Sequence, residues 1–441
     1  MSDLVDKFRN GNATIGVVGL GYVGLPLGLG FVQKGIKVIG LDVDSSKIRE
    51  INEGRSYIEH IESAPIADAV EKGLLIATDN FESAQDCNAL ILCVPTPLDL
   101  HHEPDLSYVL NTLDSLLPNL RKNQVLSLES TTYPGTTEEE LKPRIESQGF
   151  VIGEDFFLVY SPEREDPGNP DFSSTNIPKV MGGSTPACQE VGLALYESVV
   201  EKVVPVSSTQ VAEFAKLLEN IYRSVNIGLV NELKIAADKM GIDIWEVIDA
   251  ASTKPFGFKA FYPGPGLGGH CIPIDPFYLT WKAKEYGVHT RFIELSGEVN
   301  ESMPTYVVNK AAVALNTQSK AVNGSRILVV GLAYKENVDD MRESPTFHLM
   351  DGLLELGALI DYHDPHIPEV TPTREHAEWT GKKSTALTSE NLEGYDLVLI
   401  ATNHALVDLA LIVENSKLIL DTRNAVAKAG LSPKPGQLLK A

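Results

Sequence analysis

The sequence predicts an α/β protein of two Rossmann-like, doubly wound domains joined by a long central helix. Three observations carry that expectation. Near the N-terminus an apolar strand runs into a glycine-rich turn, a helix and a second strand that ends in an acid. A second strand-to-turn series begins near residue 325. Between the two, residues 207–240 form one helical pattern without proline. At 441 residues the chain is too long for one ordinary core, and we divide it as 1–205, 206–320 and 321–441.

Residues 14–19 read as a buried strand leading into Gly19-Leu20-Gly21-Tyr22-Val23-Gly24 and a helix to about residue 34. The next strand, Lys37 to Leu41, ends at Asp42. Gly19 permits a tight turn, Gly21 lets backbone approach a pyrophosphate, and Gly24 lets helix pack on strand. The helix N-terminus offers N–H groups and partial positive charge to phosphates. Asp42 is placed to accept ribose hydroxyls, which favours NAD over a 2′-phosphorylated cofactor. Further strands at 89–94, 124–128 and 156–160 end in Pro95-Thr96-Pro97, Glu129-Ser130-Thr131-Thr132 and Ser161-Pro162-Glu163-Arg164. In a parallel sheet such ends line the ligand crevice. Glu163 reads either as an acid facing the reacting group or as a solvated loop glutamate.

In the long helix, Val211, Phe214, Ala215, Leu218, Ile221, Tyr222, Val225 and Leu229 recur near the 3.6-residue period, with Ser207 or Ser208 as its start and Gly241 as its end. Lys216, Asn220 and Arg223 project from one face, as an exposed polar stripe or as the wall of a site. The loop at 264–276, Gly-Pro-Gly-Leu-Gly-Gly-His-Cys-Ile-Pro-Ile-Asp-Pro, forces sharp turns and delivers Cys271 and Asp275 four residues apart. It reads either as a covalent-catalysis site or as a surface loop that holds a thiol. A strand-to-turn unit at 325–335, strands at 358–362, 395–401 and 418–421, and a helix near 345–357 make the second doubly wound domain. Its strand ends carry Lys335, Arg342 and Arg423, cations fit to hold a diphosphate. The last fifteen or so residues, rich in Pro, Lys and Gly, read as a mobile tail.

Composition narrows the function classes. Hydrophobic content of 43% with 22% charged residues is that of a globular protein, and no run approaches the ~18 apolar residues of a membrane span. The N-terminus lacks the basic-then-apolar order of a signal peptide, so a cytoplasmic location is expected. A net charge of −23 argues against general nucleic-acid binding. The four cysteines show neither metal-ligand spacing nor a disulfide framework. Cys93 reads as a buried strand residue, Cys87 and Cys188 as structural, and only Cys271 has catalytic surroundings. His363, Asp364 and His366 match no metal-site spacing, and no metal is expected.

With these pieces placed, the chain resembles the UDP-glucose/GDP-mannose dehydrogenase family of nucleotide-sugar 6-dehydrogenases over about residues 12–425. The resemblance rests on Gly-Leu-Gly-Tyr-Val-Gly-Leu-Pro-Leu (19–27), Val-Pro-Thr-Pro (94–97), Ser-Thr-Thr-Tyr-Pro-Gly-Thr-Thr (130–137) and Ser-Pro-Glu-Arg (161–164). It continues through Lys216 with Asn220, Gly-Gly-His-Cys-Ile-Pro-Ile-Asp-Pro (268–276), Gly-Leu-Ala-Tyr-Lys (331–335) and Asp-Met-Arg-Glu-Ser (340–344). It implies an NAD-binding first domain, a helical dimerisation domain with the cysteine loop, and a UDP-sugar-binding last domain, hence a homo-oligomer, at least a dimer. The implied reaction is the NAD-dependent, four-electron oxidation of a sugar C6 alcohol to a carboxylate. Cys271 matches the nucleophile that forms a thiohemiacetal and then a thioester. Lys216 and Asp275 match the proton-handling pair, Asn220 an oxyanion ligand, Glu163 the acid of hydrolysis, and Thr131 an active-site hydroxyl. The implied cofactor contacts are Gly19, Gly21, Tyr22, Val23, Gly24, Asp42, Lys47, Pro95, Thr96, Thr131 and Arg342. The implied substrate contacts are Arg164, Lys216, Asn220, Arg223, Phe261, Tyr262, Gly268, Lys335 and Arg423.

The His-Cys-Ile-Pro-Ile-Asp-Pro run and Arg223 are similar to the branch acting on UDP-N-acetylhexosamines, with UDP-N-acetylglucosamine the expected substrate, its galactosamine and mannosamine epimers the alternatives, and surface-polysaccharide or lipopolysaccharide precursors the expected use. The rival readings are a UDP-glucose 6-dehydrogenase, a catalytically silent NAD- and nucleotide-sugar-binding regulator, and an alcohol dehydrogenase that releases the aldehyde. Neither nucleic-acid binding nor membrane insertion is expected.

Overall fold

The computed structural model describes residues 1–58, 61–99, 103–164, 175–269, 272–373 and 376–441. The chain divides into two compact units, one of residues 1–219 with 277–289 and one of 220–276 with 290–441.

The first unit holds an eight-stranded sheet of β1 (Thr14–Val18), β2 (Lys37–Leu41), β3 (Leu75–Thr78), β4 (Ala89–Leu92), β5 (Gln124–Leu128), β6 (Phe156–Tyr160), β7 (Lys179–Gly183) and β8 (Val203–Val206). Their order is 3-2-1-4-5-6-7-8. Only the β6–β7 pairing is antiparallel. Runs such as Ala-Leu-Ile-Leu in β4 and Phe-Phe-Leu-Val-Tyr in β6 are buried throughout, as strands covered on both faces must be. Sequence reading passed over β3, β7 and β8. Each is only four or five residues long, and two glycines in β7 and a proline in β8 weaken the strand signal. Cys93 is also corrected: β4 stops at Leu92, and Cys93 lies one residue beyond it, half-buried.

Helix α1 (Gly24–Gln33) follows β1, α2 (Pro186–Glu197) follows β7, and α3 runs over Thr209–Met240, with Gly241 beyond it at φ +72°. The polar face of α3, read either as an exposed stripe or as the wall of a site, is largely buried. Val211, Phe214, Leu218, Tyr222 and Leu229 are between 44% and 57% exposed, whereas Glu213, Lys216, Asn220, Ser224, Asn231 and Lys234 are buried. Buried polar groups need partners. Glu213 accepts hydrogen bonds from the Gly135 N–H at 2.6 Å, the Thr137 N–H at 2.9 Å and the Thr137 hydroxyl at 2.6 Å.

In the second unit come α4 (Ile244–Ser252), the start of α5 (Asp275–Glu285, from Phe277 on in the first unit), α6 (Arg291–Thr317) and α7 (Pro345–Glu355). Its sheet joins β9 (Arg326–Val330), β10 (Leu359–His363), β11 (Leu397–Ile400), β12 (Ile419–Asp421) and β13 (Leu438–Lys440) in the order 10-9-11-12-13, all parallel. The expected mobile tail is corrected here, because β13 is the fifth strand. The Gln437 side chain donates to the carbonyls of Val413 and Ser416 at 2.7 Å each, Ala441 N–H donates to Asp421 at 3.0 Å, and Lys440 pairs with Asp243. Proline and glycine at 433–436 mark a turn into the strand rather than the end of structure. No helix among the described residues is long and apolar enough to cross a membrane.

Two outcomes follow. Deleting residues 437–441 leaves β12 with unpaired backbone and lowers the thermal midpoint by at least about 4 °C; a mobile tail would leave it unmoved. Burial pushes the Glu213 carboxyl up to about 7, against the lowering by the Thr137 and Gly135 donors. The folded state then holds this proton more tightly than the unfolded chain, whose ordinary value is 4.5. Its contribution to stability is complete below about pH 4.5 and is lost as pH rises through about 7. Melting curves should show a smaller loss of stability between about pH 5 and about pH 8 for Glu213→Gln than for the wild type. Equal losses would remove Glu213 as the cause.

Candidate active site

The turn after β1 is defined by the side chains it lacks. A Cβ at Gly24 would sit 1.9 Å from the Gly19 carbonyl oxygen, and one at Gly19 would sit 2.6 Å from that of Cys93. Gly19 also adopts φ +93°. Nothing lies within 4 Å of a Cβ built at Gly21, so backbone there is open to a bulky anion. Val23 stands at the N-cap of α1. Asp42, buried, accepts from Leu20 N–H at 2.8 Å and Asp44 N–H at 2.9 Å, and Lys47 Nζ lies 3.4 Å away. A carboxylate has about four lone-pair positions, so Asp42 keeps acceptor capacity for hydroxyls. These residues fit a dinucleotide: an open glycine at a helix N-terminus for the pyrophosphate and an acid at the next strand end for the ribose.

The neighbouring strand ends are held from below. Ser130 hydroxyl donates to Val94 carbonyl at 2.6 Å, and Tyr160 hydroxyl to Ser130 carbonyl at 3.2 Å, which fixes the segment carrying half-buried Thr131. Tyr278 of α5, fully buried, donates to the carbonyls of Thr96 and Pro97 at 3.0 and 3.2 Å. Glu163 is half-buried, its Oε1 accepting from Arg164 N–H at 2.6 Å and its Oε2 lying 3.5 Å from Lys179 Nζ. The Arg164 guanidinium forks onto Glu219 of α3 at 2.6 and 3.2 Å.

On α3, Lys216 and Asn220 lie one turn apart and are both buried. Arg223, expected on the same wall, is exposed. Asn220 donates to Asp275 at 2.5 Å, and Asp275, 2% exposed, opens α5. Among the described residues no carboxylate lies within salt-bridge distance of Lys216.

The glycine loop is moulded on the second unit. A Cβ at Gly264 would be 2.4 Å from Arg423 Nη1, at Gly266 2.8 Å from Pro345, and at Gly268 2.7 Å from Tyr334. Gly264 N–H donates to Asn231 Oδ1 of α3 at 3.0 Å, while Asn231 donates to Asn300 of α6 at 2.9 Å. Burial pushes Arg423 down to about 10, and its Nε donates to Ala401 carbonyl at 2.8 Å. No carboxylate among the described residues comes within ion-pair distance of it, so its charge remains available to an anion. Phe261 packs edge-on to Tyr222 at 5.7 Å, and exposed Tyr262 donates to Asp249 at 2.6 Å. Arg342 forks onto Asp340 at 2.7 and 2.9 Å, and Lys335 is half-buried. Cys271 and His270 lie outside the described residues.

Sequence reasoning did not single out Lys179, Tyr196, Glu213, Asn231 or Tyr278. Each sits in a run whose pattern says strand or helix. The available signals were an ionisable group beside an apolar strand run, as at Lys179, and polar groups at helical spacing opposite the apolar period, as at Glu213. His348, Asp351 and His376 also come together, but Asp351 is already engaged by His376 at 2.8 Å and Trp379 at 2.6 Å.

Family models match the chain in three consecutive stretches. They are the NAD binding domain of the UDP-glucose/GDP-mannose dehydrogenase family at residues 13–200, its central domain at 210–302 and its UDP binding domain at 328–428. A UDP-N-acetyl-D-glucosamine 6-dehydrogenase of Pseudomonas aeruginosa is 37% identical, with 89% of this chain and 90% of the relative covered. A UDP-N-acetyl-D-mannosamine dehydrogenase of Escherichia coli K12 is 34% identical over 89% of this chain and 94% of its own. The solved UDP-D-ManNAc dehydrogenase of Pyrococcus horikoshii superposes with a TM-score of 0.86 at 30% identity, covering 97% of this chain and 98% of that one. With its glycine turn, buried Asp42 and two largely parallel sheets, the chain belongs to the UDP-glucose/GDP-mannose dehydrogenase family and is an NAD-dependent dehydrogenase.

Proposed function

We propose that this chain oxidises the C6 alcohol of a UDP-N-acetylhexosamine, UDP-N-acetylglucosamine first, to the carboxylate through Cys271. The observation that most supports this reading is the buried polar face of α3. A lysine with no carboxylate partner among the described residues lies one turn from an asparagine bonded to the acid that follows the cysteine loop. Bound NAD would supply the chemistry of accepting a hydride from C6, once at the alcohol and once at the thiohemiacetal.

The residues of the chain do the rest. Lys216 and Asp275 exchange the hydroxyl proton, and Asn220 steadies the developing oxyanion. Cys271 Sγ bonds to the aldehyde carbon while its proton passes to the oxygen, directly or by way of Asp275. After the second oxidation, water attacks the thioester carbon, its proton goes to Glu163, the C–S bond breaks and Cys271 leaves as thiolate. Arg423 supports binding of the diphosphate as a cation. The exposed apolar stripe of α3 supports a homo-oligomer that covers it.

The His270-Cys271-Ile272-Pro273-Ile274-Asp275-Pro276 run and the 37% identity to the Pseudomonas enzyme support the glucosamine epimer. The high structural similarity to the Pyrococcus enzyme favours mannosamine as the second reading. Comparing kcat/KM across UDP-glucose and the three UDP-N-acetylhexosamine epimers decides it, with UDP-N-acetylglucosamine expected highest; a clear preference for UDP-glucose sinks the substrate class. Wild-type protein should yield two NADH per sugar. Cys271→Ser should lower carboxylate formation by at least about a hundredfold while still binding NAD. Normal acid production by that variant would remove the nucleophile assignment.

A further inference from the structure

Beneath Glu163 lies a charged group of residues that the proposed chemistry does not use. Lys179, 4% exposed, starts β7. Because β7 runs antiparallel to β6, its first residue lies at the edge where β5 and β6 end, which brings Lys179 beside Glu129 and Glu163. Lys179 Nζ donates to Glu129 Oε2 at 2.6 Å and lies 3.5 Å from Glu163 Oε2. The Tyr196 hydroxyl of α2 closes the other side of Glu129 at 2.6 Å and meets Ser127 Oγ at 2.6 Å.

The three charges differ in what they can reach. Both Glu129 oxygens are taken and its side chain has no exposed surface, so it cannot touch a substrate. Lys179 is buried with it. Glu163 alone is open, with 13% of its side chain exposed, and with Arg164 and Pro178 it lines a small cavity whose floor is Lys179. Burial works to lower the Lys179 ammonium, but Glu129 and Glu163 override it and hold it charged. Well-packed apolar residues could replace such a buried ion pair at little cost in stability, so fold stability alone does not require it.

We propose that Lys179, anchored by Glu129 and Tyr196, is a positioning residue for Glu163, aiming its carboxylate for hydrolysis of the thioester. This rests on the assignment of Glu163 to that step. Pre-steady-state turnover of the full-length protein with NAD and its best UDP-sugar tests it, with intact-protein mass spectrometry reading the acyl adduct. In Lys179→Met the first hydride transfer should stay within about twofold of wild type, whereas adduct hydrolysis should slow by at least about tenfold and the acylated protein should accumulate. Lys179→Arg should restore most of the hydrolysis rate.

If Lys179→Met fails to fold, Glu129→Gln/Lys179→Met removes both buried charges and should fold, yet still accumulate adduct. Both steps slowing equally in the folded variants, or no accumulation, overturns the proposal. Glu163→Gln run alongside separates the two ideas. Normal hydrolysis in it refutes the Glu163 assignment, whereas accumulation there without accumulation in the Lys179 variants refutes only the role of Lys179.

Discussion

Helix α3 buries Glu213, Lys216, Asn220, Asn231 and Lys234 while Val211, Phe214, Leu218, Tyr222 and Leu229 stay exposed, and the functional segments are arranged to answer those buried polar groups. A buried carboxylate, amide or ammonium is tolerable only with its partners in place. Glu213 therefore holds Gly135 and Thr137 in the loop that carries Thr131. Asn220 holds Asp275, Asn231 holds Gly264, and Lys234 lies 3.6 Å from Asp238 and 3.4 Å from the Tyr306 hydroxyl. The Glu213, Asn220 and Asn231 bonds each tie a loop or helix start to a rigid helix. Geometry set by such bonds is already formed before a ligand arrives, which is the condition for stabilising charge as it develops.

Where the polar face supplies attachment, the glycines supply closeness. Gly24 and Gly19 allow helix α1 to begin directly against the strand end, and at Gly331, just past β9, a Cβ would meet the Thr402 carbonyl oxygen at 2.3 Å. Gly264, Gly266 and Gly268 allow the cysteine-bearing loop to lie on Arg423, Pro345 and Tyr334. The two devices depend on each other. A loop without side chains has few contacts of its own, so Asn231 must capture its backbone; an asparagine buried in a helix has few acceptable partners, so it needs backbone brought within 3 Å.

This explains which features were legible in the sequence. The glycine turn, Asp42 and the apolar runs of β1, β2, β4, β5 and β6 are local, because residue type and spacing alone decide them. The second sheet was legible for the same reason, apart from β13. The proline- and glycine-bearing segment before it looks like a tail until Gln437 finds two carbonyls contributed by residues more than twenty positions earlier. The face that α3 buries was not legible either. Its apolar period is real, but a period says only that two faces differ, and the usual rule assigns the apolar one to the chain's own core. The glutamate, lysine and asparagines on the opposite face were the contrary signal, since such residues at helical spacing either meet solvent or form a wall.

The same reasoning separates structural from functional burial of charge. Lys440 with Asp243 and Lys310 with Asp238 are partly exposed pairs that join elements and contribute little each. Lys179 with Glu129 is fully buried, so its desolvation is unfavourable and its Coulombic gain does no more than offset it. What the pair adds is a fixed direction. An ammonium closed on one side by Glu129, itself held by the Tyr196 hydroxyl, leans toward one further carboxylate, Glu163, the one carboxylate of the cluster that lines the cavity. An apolar pair of the same volume would keep the sheet intact and leave Glu163 without that direction.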